Sequence, residues 1–114
     1  MSDERRRDRR VPAQGPCTIV GGDGTERSFE LVDLSESGAR LTCEAAIDAM
    51  TRVQVVLVLP ADRLGHTEDA TLQTVGVVVW SHQTEDAVFD TGVFFPELDD
   101  DSASLLRNYV ATAA

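Results

Sequence analysis

Apolar residues recur along this chain in short runs with a period of two, interrupted roughly every 10 residues by turn-forming glycine, proline or acidic clusters. Cys17–Val20 is followed by Gly21-Gly22-Asp23-Gly24, a strong hairpin signal because such residues accept the positive φ of tight turns. Ser28–Leu34 reads as a second strand and ends at Ser35-Glu36-Ser37-Gly38. Ala39–Cys43 is a third, in which Ala39, Leu41 and Cys43 alternate with Arg40 and Thr42. Val53–Leu59 is nearly continuous Val and Leu and is closed by Pro60, after which residues 60–69 read as a polar loop. Ala70–Ser81 is long and β-branched, and Gly76 at its centre predicts a bulge or barrel corner. Val88–Phe95 follows and Pro96 ends it. The second strand contains a conflict. Phe29 and Leu31 share a phase with Asp33 and Ser35, whereas Val32 and Leu34 take the opposite phase, so either both faces are covered or a bulge intervenes.

The period changes at the C-terminus. Asp99-Asp100-Asp101-Ser102 supplies capping side chains and negative charge where a helix N-terminus favours both. Leu105, Leu106, Tyr109 and Val110 then fall on one helical face. Six short strands followed by one helix predict a mainly β fold: a six-stranded antiparallel β-barrel, whose closure removes sheet edges, with a C-terminal α-helix covering one mouth or side. The expected organisation is a single domain, with a flexible arginine arm at 1–14, the barrel at 15–96 and the helix at 97–114. Trp80, Phe94 and Phe95 are assigned to the barrel core, and Tyr109 to a helix anchor with a wet hydroxyl.

Composition narrows the function. A length of 114 residues suits one core, and 42% hydrophobic with 26% charged residues is ordinary globular usage. All ten basic residues are arginine, which excludes lysine Schiff-base chemistry and a Walker-type lysine. The net charge is −10, but unevenly spread. Residues 1–10 hold five Arg against Asp3, Glu4 and Asp8, while the remainder holds five Arg against seventeen acids. An acidic body argues against binding a nucleic acid polymer. No apolar run approaches the roughly 20 residues of a membrane span, so no membrane insertion is expected. The charged first ten residues lack an apolar leader core, which points to a cytoplasmic protein with Cys17 and Cys43 reduced. There is no CxxC. His66, Glu68, Asp69 and His82 lack metal-site spacing, so no metal is expected. No nucleophile elbow is present, and no enzymatic activity is expected.

Two short patterns remain. Arg6 and Arg10 lie four apart, on one side of a helical or extended backbone alike. Asp33 and Ser35 share one face of a strand end, with Gly38 free to take a positive φ in the turn. Arg6-x-x-x-Arg10 followed by Asp33-x-Ser35-x-x-Gly38 resembles the PilZ family, bacterial receptor domains for cyclic di-GMP, and the resemblance runs through Val79-Trp80, Gly92-Val93-Phe94-Phe95 and the terminal helix. Arg5 and Arg9 form a competing register, although Val11-Pro12 directly after Arg10 favours Arg10 as the end of the motif.

The resemblance implies a stand-alone receptor with cyclic di-GMP as ligand and no cofactor. Arg6 and Arg10 would clamp it, with Arg5 and Arg7 adding charge or stacking. Asp33 would accept from guanine N1–H and N2–H₂, Ser35 would bond a base or phosphate oxygen, and Gly38 would admit a close backbone approach. Ordering of the arm would relay binding to a downstream protein partner that the sequence does not identify. The alternative is a PilZ-like barrel acting as a protein interaction module without nucleotide binding, with Asp33 and Ser35 merely capping local backbone groups.

Overall fold

The computed structural model describes residues 10–21, 24–44, 46–61, 68–85 and 87–112. Its strands are β1 (Val11–Pro12), β2 (Pro16–Val20), β3 (Glu26–Leu34), β4 (Gly38–Cys43), β5 (Arg52–Leu59), β6 (Ala70–Glu85) and β7 (Val88–Phe94), followed by the helix α1 (Asp100–Thr112). All pairings are antiparallel. The ladder β3–β2–β5–β6–β7–β4 returns to β3, which closes a six-stranded barrel. The two-residue β1 is an addition to the end of β3, with Val11 opposite Leu34 and Pro12 opposite Asp33.

Alternation fills the interior. In β5, Val53, Val55, Leu57 and Leu59 are buried while their neighbours face outward, and Phe29, Leu31, Leu41, Leu72, Val78 and Val93 join them. Burying a side chain of this kind stabilises by about 1.5–3 kcal/mol, so this repeated pattern fixes which face of each strand points inward. Helix α1 packs against β6 and adds Leu106, Tyr109 and Val110 to the core. It starts where Asp99 Oδ1 accepts from Ser102 N at 2.7 Å, a cap that also holds the Asp99 carboxyl below its ordinary range.

Several expectations need correction. Tyr109 is 2% exposed, so it is a core residue and not a half-wet anchor. Gly76 is not a bulge: it pairs in register with Val53 and faces inward, where a Cβ would meet Val93 Cγ1 at 2.6 Å and Val55 Cγ2 at 2.9 Å. A bulge in β6 lies instead between Val78 and Trp80, and a second shift of register falls between Gln83 and Glu85. Phe95 is buried as expected, but Phe94 is 46% and Trp80 37% exposed. Val93 and Phe95 take the inward phase, which forces Phe94 out, and the bulge turns Trp80 out after buried Val78. Val11 and Ala13, assigned to the arm by sequence, are buried in the core. The phase conflict in β3 resolves as a bulge between Leu31 and Asp33, which keeps Leu31 and Leu34 inside.

Candidate functional site: a carboxylate between two arginines

That bulge positions the site. It sets Asp33 opposite Arg40 on the outer barrel face, at the point where β3 turns into β4. The Asp33 side chain is 16% exposed, and each carboxylate oxygen meets a different guanidinium. Arg10 Nη1 donates to Oδ1 at 2.8 Å, and Arg40 Nε lies 3.2 Å from Oδ2. The second contact is an ion pair without hydrogen-bond alignment, for Arg40 Nε is buried and makes no hydrogen bond. Arg40 Nη1 also lies 3.9 Å from Asp90 Oδ2 on β7. Arg10 is delivered by β1: the register of Val11 and Pro12 against Leu34 and Asp33, with Ala13 N donating to Val32 O at 3.0 Å, fixes the chain immediately after it.

The turn beyond Asp33 is organised by Ser35, which is fully buried. Its Oγ accepts from Gly38 N at 3.1 Å and from Ser37 N at 3.3 Å, and lies 3.3 Å from Gly38 O as a donor. Ser35 N donates to Gly38 O at 2.9 Å and Phe95 N to Ser37 O at 2.8 Å, which ties the turn to the end of β7. Ser35 thus holds the turn's backbone. Gly38 does not take a positive φ, as the sequence had suggested; the positive-φ glycines among the described residues are Gly15 and Gly24. What position 38 requires is space, because a Cβ there would overlap the Val93 carbonyl oxygen.

The structure therefore brings Arg10, Asp33, Ser35 and Gly38 together at one strand end. Arg5, Arg6, Arg7 and Arg9 lie outside the described residues. Arg40 and Asp90 were missed, although the signal for Arg40 was available: a short turn after Asp33 places a β4 residue of outward phase directly opposite it. Among the described residues no cluster of three or more His, Cys, Asp or Glu could hold a metal; His66 lies outside them. A hollow of about 330 Å³, lined by residues that include Ile19, Arg27, Ile47 and Asp48, shares no residue with this site.

The fold is thus a closed antiparallel barrel with one C-terminal helix, carrying an arginine–carboxylate pair where Arg10, just before β1, meets the end of β3. Over residues 4–112 the sequence matches the PilZ domain, and the chain belongs to that family. Among solved structures it is similar to the Bacillus subtilis inhibitor of motility MotI/DgrA, at 14% identity and TM-score 0.79 over 94% of this chain and 50% of that one. The chain thus spans about half the length of that protein. It is also similar to the PilZ domain of YcgR from Escherichia coli, solved with c-di-GMP, at 16% identity and TM-score 0.66 over 96% and 91%. The PilZ domain of CeSA from a cellulose-synthesising bacterium aligns at 18% identity and TM-score 0.62 over 90% and 96%. No curated protein matches the chain in sequence. Among the described residues no helix is long and apolar enough to cross a membrane.

Proposed function

We propose that this chain is a receptor for cyclic di-GMP, working by binding and not by catalysis. The observation that carries the reading is the Asp33 carboxylate, half-buried on the outer barrel face with a guanidinium on each oxygen. Guanine's N1–H and N2–H₂ present two adjacent donors that match the two carboxylate oxygens, and phosphate oxygens match the forked donors of arginine. Binding then proceeds by exchange: the base takes over Asp33 while Arg10, with Arg6 from the same segment, turns to the phosphates. Arg5 and Arg7 add positive charge. Ser35 holds the turn that carries Asp33, and Gly38 keeps β4 close to β7. Membership of the PilZ family and the YcgR domain solved with c-di-GMP support this reading.

Relay to a protein partner belongs to the same proposal. Recruitment of Arg6 and Arg10 to the ligand moves the segment ahead of β1 across the barrel surface, and so changes what a partner meets. The cytoplasm is the matching compartment. The test is calorimetric titration with cyclic di-GMP and with cyclic di-AMP. Saturable heat with the first and a far weaker response to the second is expected, because adenine offers Asp33 no matching pair of donors. No heat with cyclic di-GMP near 100 µM (roughly 5–6 kcal/mol of binding free energy) would overturn the receptor reading in favour of a protein interaction module.

A further inference from the structure

Arg27 takes the inward phase of β3. It shares a face with buried Phe29 and Leu31 and lies directly opposite buried Ile19 on β2. Alternation gives that position to an apolar side chain, and an unpaired arginine is not held in a core, so this one leaves through the barrel mouth and is exposed. The mouth, where β2 ends and β3 and β5 begin, holds the hollow of about 330 Å³: Ile19, Ile47 and Val53 give it apolar surface, and Arg27 and Asp48 give it charge. Asp48 comes from the segment between β4 and β5, which is pinned in place. Ile47 N donates to Ser81 Oγ at 3.4 Å, Thr51 Oγ1 to Asp48 O at 2.7 Å and Val78 N to Thr51 O at 2.9 Å. The two opposite charges line one hollow without meeting, and neither makes an ion pair with another described residue.

We propose that this mouth is a second binding site, for a free α-amino acid with an apolar side chain. The guanidinium of Arg27 takes the α-carboxylate, the carboxylate of Asp48 takes the α-ammonium, and the apolar side chain enters between Ile19, Ile47 and Val53. An apolar carboxylic acid answers Arg27 alone, and an apolar amine answers Asp48 alone. Only a molecule with both charges on one carbon answers both. The volume lies at the lower end of the roughly 300–1,000 Å³ usual for small-molecule sites, which suits a ligand of this size. Arg27 and Asp33 stand at opposite ends of β3, about 20 Å apart at about 3.3 Å per residue, so this site is separate from the arginine–carboxylate site and does not rest on the receptor reading.

The full chain, labelled with nitrogen isotope, is titrated with L-leucine and with L-phenylalanine while its amide resonances are followed. Both charges stand at an exposed rim, where an ion pair is weak, so saturation in the millimolar range is expected, with the shifted amides clustered around Ile19, Arg27 and Asp48. Leucinamide, which lacks the carboxylate, and isocaproate, which lacks the ammonium, should each bind about 5-fold more weakly than L-leucine. Arg27→Gln should bind leucine and leucinamide alike, and Asp48→Asn should bind leucine and isocaproate alike. Both residues are exposed, and circular dichroism checks that the variants fold. Absence of a saturable shift with both amino acids overturns the proposal, as do shifts clustered around Asp33 instead. Full discrimination against the analogues in both variants overturns the assignment of the two charges.

Discussion

Gly38 and Val93 approach so closely where β4 pairs with β7 that a Cβ on residue 38 would overlap the Val93 carbonyl oxygen. Backbone, and not a flexible side chain, is the obstacle, so relief requires the strands to part. Gly38→Ala should therefore destabilise the fold by about 1–3 kcal/mol, the range for overpacking. The check is urea denaturation, with the midpoint lowered and the slope unchanged. The turn that carries Asp33 should shift as well, weakening ligand binding in the same variant. A wild-type midpoint would show that β4 yields freely.

Ser35→Ala should act through stability first. The hydroxyl is buried and satisfies the N–H groups of Ser37 and Gly38, and alanine leaves both without that acceptor. An unsatisfied buried donor costs about 1–3 kcal/mol. Thermal melts should register the loss, and Ser35→Thr should recover part of it only if the extra methyl fits. An unchanged melt accompanied by lost binding would make Ser35 a direct ligand contact.

Arg10→Ala and Asp33→Asn separate charge from base reading. Removing Arg10 deletes a charge-assisted contact worth about 1.5–3 kcal/mol, so affinity for cyclic di-GMP should fall roughly 10- to 150-fold with the fold retained. In Asp33→Asn one acceptor becomes a donor facing a donor, so affinity should fall and the preference over cyclic di-AMP should shrink. Calorimetry of each variant with both dinucleotides decides. Equal discrimination in Asp33→Asn would remove Asp33 from base reading.

Cys17 offers a pH-dependent check on the core. Burial pushes its thiol from an ordinary 9.0 up to about 12, because the thiolate would lose its hydration. Between those values the unfolded thiol ionises while the folded one keeps its proton, so stability falls as pH rises through that window. Cys17→Ala should flatten this alkaline slope. In the native protein at pH 8, alkylation should label half-buried Cys43 first and spare Cys17, with both reacting in denaturant. Equal native rates would contradict the packing of β2.

The strands were legible because alternation was clean wherever one face met the core, as along Val53–Leu59. The C-terminal helix was legible from Asp99 and its apolar face. What escaped was phase across bulges. At Val32 the sequence posed the conflict without deciding it, and at Val79 it gave no warning, so Trp80 was placed inside; Phe94 was placed inside although alternation with Val93 and Phe95 turns it out. The extension of β6 to Glu85 was hidden for a related reason. Ala87 takes φ 58° in the turn that follows, a conformation usually signalled by glycine or asparagine. Within the site, Asp33, Ser35 and Gly38 were visible as a pattern, but the separate reasons for Ser35 and Gly38 were not, because they depend on hydrogen bonds and backbone distances that no spacing encodes. Arg40 required the hairpin register.

The anchoring of β1 makes the arginine segment a leash of known length. Val11 is pinned in the core opposite Leu34, and an extended chain spans at most about 3.5 Å per residue, so the Arg6 backbone stays within about 14 Å of Arg10. Under the receptor reading, the positive charge that Arg10 brings to Asp33 is set by this pairing and not by solution concentration. The peg is a buried apolar side chain. Under that reading, loosening it, as Val11→Asp would, frees Arg10 from the carboxylate and couples packing under β3 to affinity on the surface above it.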